Sequence, residues 1–195
     1  MEIGIWGDSI TYGACDSETL GWVGRLRKSF EAYNSEDIYK DVYNFGICGD
    51  TTEELLRRFS VEADSIKPAV VIFSIGINDS RFLAGQTINK VPLDAFKRNM
   101  ETLLQQARKH TNNIYIVGLT KVDDSLARPS GTRFLNETIQ SYNACLREIA
   151  ETQKLPFIDV FDVLDVSADL ADGLHPNAQG YEKMFKTISV ELALQ

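Results

Sequence analysis

The chain has 195 residues, of which 44% are hydrophobic and 25% charged, and 28 acidic against 20 basic side chains leave a net charge of −8. That suits one domain of ordinary size, expected to span 1–195, with apolar residues enough for a buried core. The negative field, with no Lys/Arg cluster to offset it, argues against a nucleic-acid partner, and no apolar run is long enough for membrane insertion.

Residues 2–6 (EIGIW) read as a strand, and Gly7, Asp8 and Ser9 follow at once. This leaves no room ahead of Ser9 for a removable leader, so a cytoplasmic location is expected. Residues 19–33 read as a helix, with Leu20, Val23, Leu26 and Phe30 at helical spacing. A strand at about 40–45 and a helix at about 52–64 come next. The run AVVIFSIG (69–76) has no polar alternation, which marks a strand covered on both faces. Residues 92–109 form a helix that Pro92 can start. Strands at 113–119 and 156–160 flank a helix near 136–153, and a last helix covers about 177–193, with Tyr181, Phe185, Ile188 and Leu192 on one stripe. Repeated β-α-β of this kind predicts a mostly parallel sheet with helices on both faces. In such sheets ligands bind outside the carboxyl ends of the strands.

Four segments fall at that edge. The first holds Ser9, a hydroxyl that becomes a nucleophile only beside a base; Gly-Asp-Ser is also ordinary turn composition. The second is DGLHPN. The chain has two histidines; His110 ends a helix, where the dipole favours it, whereas His175 follows Asp172 by three residues and precedes Pro176. Asp172 could hold one ring nitrogen and leave the other for Ser9; a capped helix entrance has the same composition. The third, NFGICGDTTEEL, carries Gly46, Gly49 and the capping-box pair Thr51 and Glu54, so a helix N-terminus suited to an oxyanion or a phosphate is expected there. In the fourth, Asn78 follows the most buried strand, and its amide can donate to developing negative charge.

In order, Gly7-Asp8-Ser9, Gly49 before Asp-Thr, Gly76-Ile77-Asn78-Asp79 and Asp172-Gly173-Leu174-His175-Pro176 resemble the motif blocks of the SGNH (GDSL-type) hydrolases, from residue 4 to about 181. The resemblance implies a flavodoxin-like α/β/α sandwich with five parallel strands. It implies that Ser9 is the nucleophile, His175 the base and Asp172 its orienting partner. The oxyanion hole would be the backbone N–H groups of Ser9 and Gly49 with the Asn78 side chain. No cofactor is required. G-x-S-x-G is absent, which argues against the α/β-hydrolase fold.

The expected activity is cleavage of a small, short-chain (acetyl-like) ester through an acyl-enzyme. An acyltransferase of the same mechanism and a non-catalytic binding member of the fold are the alternatives. A nucleotide site at 46–52 lacks Lys, Arg and the P-loop pattern. Asp8, Phe82 and Phe134 are candidate substrate contacts, with Leu83, Arg81 and Arg128 beside them on loops 77–91 and 120–135. Cys15, Cys48 and Cys145 are far apart and show no metal-ligand spacing, so reduced thiols and no metal site are expected.

Overall fold

The computed structural model describes residues 1–32, 34 and 39–192; the expected helix ends at Tyr33 and Ala193 lie outside them. Five strands, β1 (Glu2–Gly7), β2 (Asp41–Gly46), β3 (Val70–Ser74), β4 (Ile114–Val117) and β5 (Phe157–Ile158), form one sheet in the order β2-β1-β3-β4-β5. Every pairing is parallel. The helices are α1 (Ser9–Tyr12), α2 (Gly21–Glu31), α3 (Thr52–Ile66), α4 (Leu93–Ala107), α5 (Asn136–Gln153) and α6 (Ala178–Glu191). α2 packs on α6, while α3 packs on α4 and α4 on α5, which makes the expected three-layer, flavodoxin-like α/β/α sandwich. Among the described residues no helix is long and apolar enough to cross a membrane.

The continuous apolar run becomes the central strand: all five residues of β3 are buried, between β1 and β4. Each fully buried Val or Ile there is worth about 1.5–3 kcal/mol relative to exposure. Alternation in β1 sets its two faces. Trp6 stacks on Phe45 at 4.8 Å and meets Phe59 of α3 edge-on at 4.8 Å. Gly4 lies two residues earlier on the same face, and a Cβ there would come within 2.2 Å of the Trp6 indole. The bulk of Trp6 thus requires the missing side chain at Gly4.

Observed elements are shorter than expected at several ends. β3 stops at Ser74, β5 has two residues, and α4 begins after Pro92, which is its N-cap rather than its first helical residue. His110 lies beyond the end of α4, with Nε2 3.6 Å from Asp64. The last helix is capped by Asn177, whose side chain accepts from Gly180 N, so Pro176 stands outside it. Thr51 and Glu54 form the expected capping box on α3.

Candidate active site

β1 delivers the chain to the carboxyl edge of the sheet, where Asp8 turns it into α1. The Asp8 carboxylate accepts from Ile10 N at 2.9 Å and caps this four-residue helix, whose first residue is Ser9. Gly7 permits the turn: a Cβ there would lie 2.1 Å from Thr11 Oγ1 and 2.2 Å from Ser74 O.

The loop between β5 and α6 carries the acid and the imidazole. Asp172 Oδ1 accepts from the backbone N–H groups of Leu174 at 3.0 Å and His175 at 2.8 Å. Its other oxygen lies 2.8 Å from His175 Nδ1, and His175 Nε2 lies 2.9 Å from Ser9 Oγ. Burial pushes the Asp172 carboxyl up, but the His175 backbone N–H, the His175 ring and the Leu174 N–H outweigh it and hold the group below its ordinary range. Two contacts from the α2/α6 layer seat this loop against the turn that carries Ser9. Tyr181 donates to Ala14 O at 2.8 Å, and Arg25, paired with Asp16 at 2.5 Å, donates to Ala178 O at 3.2 Å.

Gly49 and Asn78 come to the same edge from the loops after β2 and β3. Gly49 has φ 86°, and an added Cβ would meet nothing within 4 Å, so this backbone faces open space. The buried Asn78 amide donates to Asp50 O at 3.1 Å, which ties it to the residue beside Gly49. Its carbonyl oxygen accepts from Arg81 Nη1 at 3.0 Å. A guanidinium has only donors, so the atom facing it must be oxygen, and the amide orientation is thereby defined.

The N-terminus of α3 is not free for an anion. Thr51 N donates to Glu54, Thr52 N to the Asp79 carboxylate at 3.1 Å, and Glu53 N to Thr51 Oγ1 at 3.2 Å. Three of its leading N–H groups are satisfied, two of them by carboxylates that would repel a phosphate.

Of the other candidate contacts, Phe82 pairs with Arg133 by two 2.9 Å backbone hydrogen bonds that join loop 77–91 to loop 120–135. Leu83 is exposed. Phe134 belongs to the core, with the Arg128 guanidinium 5.2 Å from its ring centre. The Asp8 carboxyl is buried beneath the turn.

Three features escaped sequence reading. Arg58 of α3 donates to Gly7 O at 3.1 Å, Phe45 O at 2.9 Å and Asp50 at 2.8 Å, and so clamps the ends of β1 and β2. Arg81 holds Asn78. Cys15, expected to have no relation to ligand-type residues, stands 4.0 Å from Asp172; contact across 157 positions leaves no trace in spacing.

Burial, followed by the nearby Asp79 and Asp50 carboxylates, pushes Asp8 from 3.8 up to about 7 against the pull of the Ile10 N–H. The folded state then holds this proton more tightly than the unfolded chain. The resulting stabilisation is complete below about pH 4 and is lost as pH rises through about 7. Asp8→Asn, which keeps an oxygen for the cap, is expected to gain stability over the native chain between pH 5 and pH 8, by about 2.5 kcal/mol. Urea midpoints at the two pH values test this; an unchanging difference would contradict it.

Residues 5–183 match the GDSL-like Lipase/Acylhydrolase family. The chain is 28% identical over 215 residues to a multidomain esterase of Ruminococcus flavefaciens, a match covering 92% of this chain and 27% of that protein's length. It is 25% identical over 207 residues to an acetylxylan esterase of Geobacillus stearothermophilus, covering 97% of this chain and 92% of the relative. The crystal structure of the lipase/acylhydrolase from Enterococcus faecalis superimposes with a TM-score of 0.79 at 27% identity, over 98% of this chain and 94% of that one. With a match across most of its length and a site assembled at the edge the fold dictates, the chain belongs to the GDSL-like lipase/acylhydrolase family, a family of carboxylic ester hydrolases.

Proposed function

We propose that this protein hydrolyses small, short-chain esters, with acetyl as the favoured acyl group, through a Ser9–His175–Asp172 triad. The observation that carries the reading is the continuous chain of two contacts, Ser9 Oγ to His175 Nε2 at 2.9 Å and His175 Nδ1 to Asp172 at 2.8 Å. Ser9 attacks the ester carbonyl while His175 takes its proton, and Asp172 stabilises the imidazolium that forms. The backbone N–H groups of Ser9 and Gly49 and the Asn78 amide receive the oxyanion. His175 then protonates the leaving alcohol, and a water that it activates cleaves the acyl-enzyme. None of these steps draws on a cofactor. The acetylxylan esterase among the relatives supports acetyl as the acyl group and a carbohydrate as the alcohol. Free Cys15, Cys48 and Cys145 support a reducing, cytoplasmic setting.

A series of p-nitrophenyl esters from acetate to octanoate tests the acyl preference. kcat/KM is expected to be highest for acetate and to fall by about tenfold or more by octanoate. A maximum at octanoate would overturn the short-chain assignment while leaving the triad in place.

Arg81 acts in this scheme as a positioning residue, since it fixes which face of the Asn78 amide meets the oxyanion. Arg81→Met is expected to lower kcat about tenfold with little change in KM, because the interaction at stake belongs to the transition state. Arg81→Lys restores a donor and should recover part of the loss. A purely structural role would instead give equal losses in both variants, matched by lower thermal stability.

A further inference from the structure

The triad loop and the segment after α1 together carry donor atoms that ester cleavage does not use as a set. Cys15 Sγ lies 4.0 Å from Asp172 Oδ2, which in turn lies 2.8 Å from His175 Nδ1. Sulfur, oxygen and nitrogen all fall within 4.8 Å of one another, and among the described residues no other three His, Cys, Asp or Glu side chains do so. Cys15 and Asp172 are exposed, so an ion can reach them from solvent.

The donor set is chemically selective. Thiolate with imidazole favours zinc-like ions over magnesium or calcium, which take oxygen ligands. Tetrahedral zinc bonds of about 2.0–2.3 Å put ligand atoms roughly 3.4–3.6 Å apart. The sulfur–oxygen distance would close, and the oxygen–nitrogen distance open, by about half an ångström each. Side-chain rotation at an exposed cysteine and an exposed aspartate supplies that.

We propose that Cys15, Asp172 and His175 form a site for a thiophilic divalent cation, best matched by Zn2+, and that filling it switches the hydrolase off. In the active arrangement the ring proton of His175 sits on Nδ1, facing Asp172, and the Nε2 lone pair faces Ser9. A metal on Nδ1 needs that lone pair, so the ring proton moves through solvent to Nε2. Nε2 then points an N–H at Ser9 and cannot accept its proton. The Cys15 thiol gives its proton to solvent as the metal–sulfur bond forms. One proton is released for each ion bound, and no oxidant or reductant takes part. The inhibitory half rests on the proposed triad; the binding half does not.

Titration of the full chain with Co2+, a spectroscopic stand-in for Zn2+, reads binding without any turnover. One equivalent is expected to give a sulfur-to-cobalt charge-transfer band that Zn2+ abolishes, while micromolar Zn2+ inhibits cleavage of p-nitrophenyl acetate. Cys15→Ser should keep basal turnover, lose the band and require about tenfold or more Zn2+ for half-inhibition. Cys48→Ser should retain both the band and the native Zn2+ sensitivity. A band that survives in Cys15→Ser, or disappears in Cys48→Ser, would overturn the assignment, as would equal Zn2+ sensitivity of Cys15→Ser and the native chain. A Cys15-dependent band in a chain without ester turnover would overturn the hydrolase reading and uphold the metal site. Turnover with neither band nor Zn2+ inhibition would do the reverse.

Discussion

Ser9→Ala is expected to lower the turnover of p-nitrophenyl acetate by roughly ten-thousandfold or more, with thermal stability almost unchanged. Ser9 is 6% exposed, and its side chain contacts His175 Nε2 at 2.9 Å. The substitution removes one oxygen atom and keeps the α1 cap, which Asp8 supplies. The covalent route is then lost while the oxyanion donors remain. A residual rate above the uncatalysed reaction should therefore persist, because triad members act as a unit and the oxyanion hole acts beside them. A fluorophosphonate should label the native chain stoichiometrically and the variant not at all. Native-like turnover in Ser9→Ala would end the triad reading. Labelling of the variant would show that another nucleophile carries the chemistry.

Gly46→Ala should be severely damaging, because the added atom would press on the backbone beside Ser9. A Cβ at Gly46 would stand 2.3 Å from Tyr12 N and 2.8 Å from both Asp8 O and Thr11 C. All three are backbone atoms of the turn that carries Ser9, so no side chain can swing aside. Either the end of β2 or α1 has to move. The expected cost is about 3 kcal/mol, equivalent to a fall in Tm of roughly 6–12 °C for a chain of this size. Turnover should fall about a hundredfold, since a displacement of about 1 Å in a reacting group costs that much. Gly49→Ala is the informative comparison. Its φ of 86° disfavours a side chain, but the space around it is open. Strain alone costs about 1–2 kcal/mol. Equal destabilisation by the two replacements would show that close backbone contact at Gly46 is not what holds the turn.

The two glycines also mark how far the sequence could be read. Both lie in NFGICGDTT, and the motif singles out Gly49, the residue before Asp-Thr. Nothing in the string reveals that Gly46 is the one pressed against α1, because that contact depends on the lateral distance between β1 and β2. The run AVVIFSIG announced a central strand, since only a position covered on both faces tolerates an unbroken apolar run. Its end was less legible: Ile75 and Gly76 leave the sheet at Ser74. The same holds for β5, expected at 156–160 and observed at Phe157–Ile158, which pairs with β4 alone. Strand ends are set by where a neighbour stops offering hydrogen bonds, and composition does not carry that information.

By itself the sequence determined the alternation of strands and helices, the parallel sheet, the capping box on α3, and the chemical types gathered at one edge. Those are local properties, governed by periodicity and by hydrogen bonding within a few residues. Only the tertiary structure decided which side chains meet across long separations. It brought His175 to Ser9 over 166 positions, set Arg58 across the ends of two strands, gave Thr52 N to Asp79, and put the Cys15 thiol beside Asp172. The physical reason is that such contacts are fixed by how helices seat on the two faces of the sheet. That seating is a property of the whole packed core, and no single stretch of the chain encodes it.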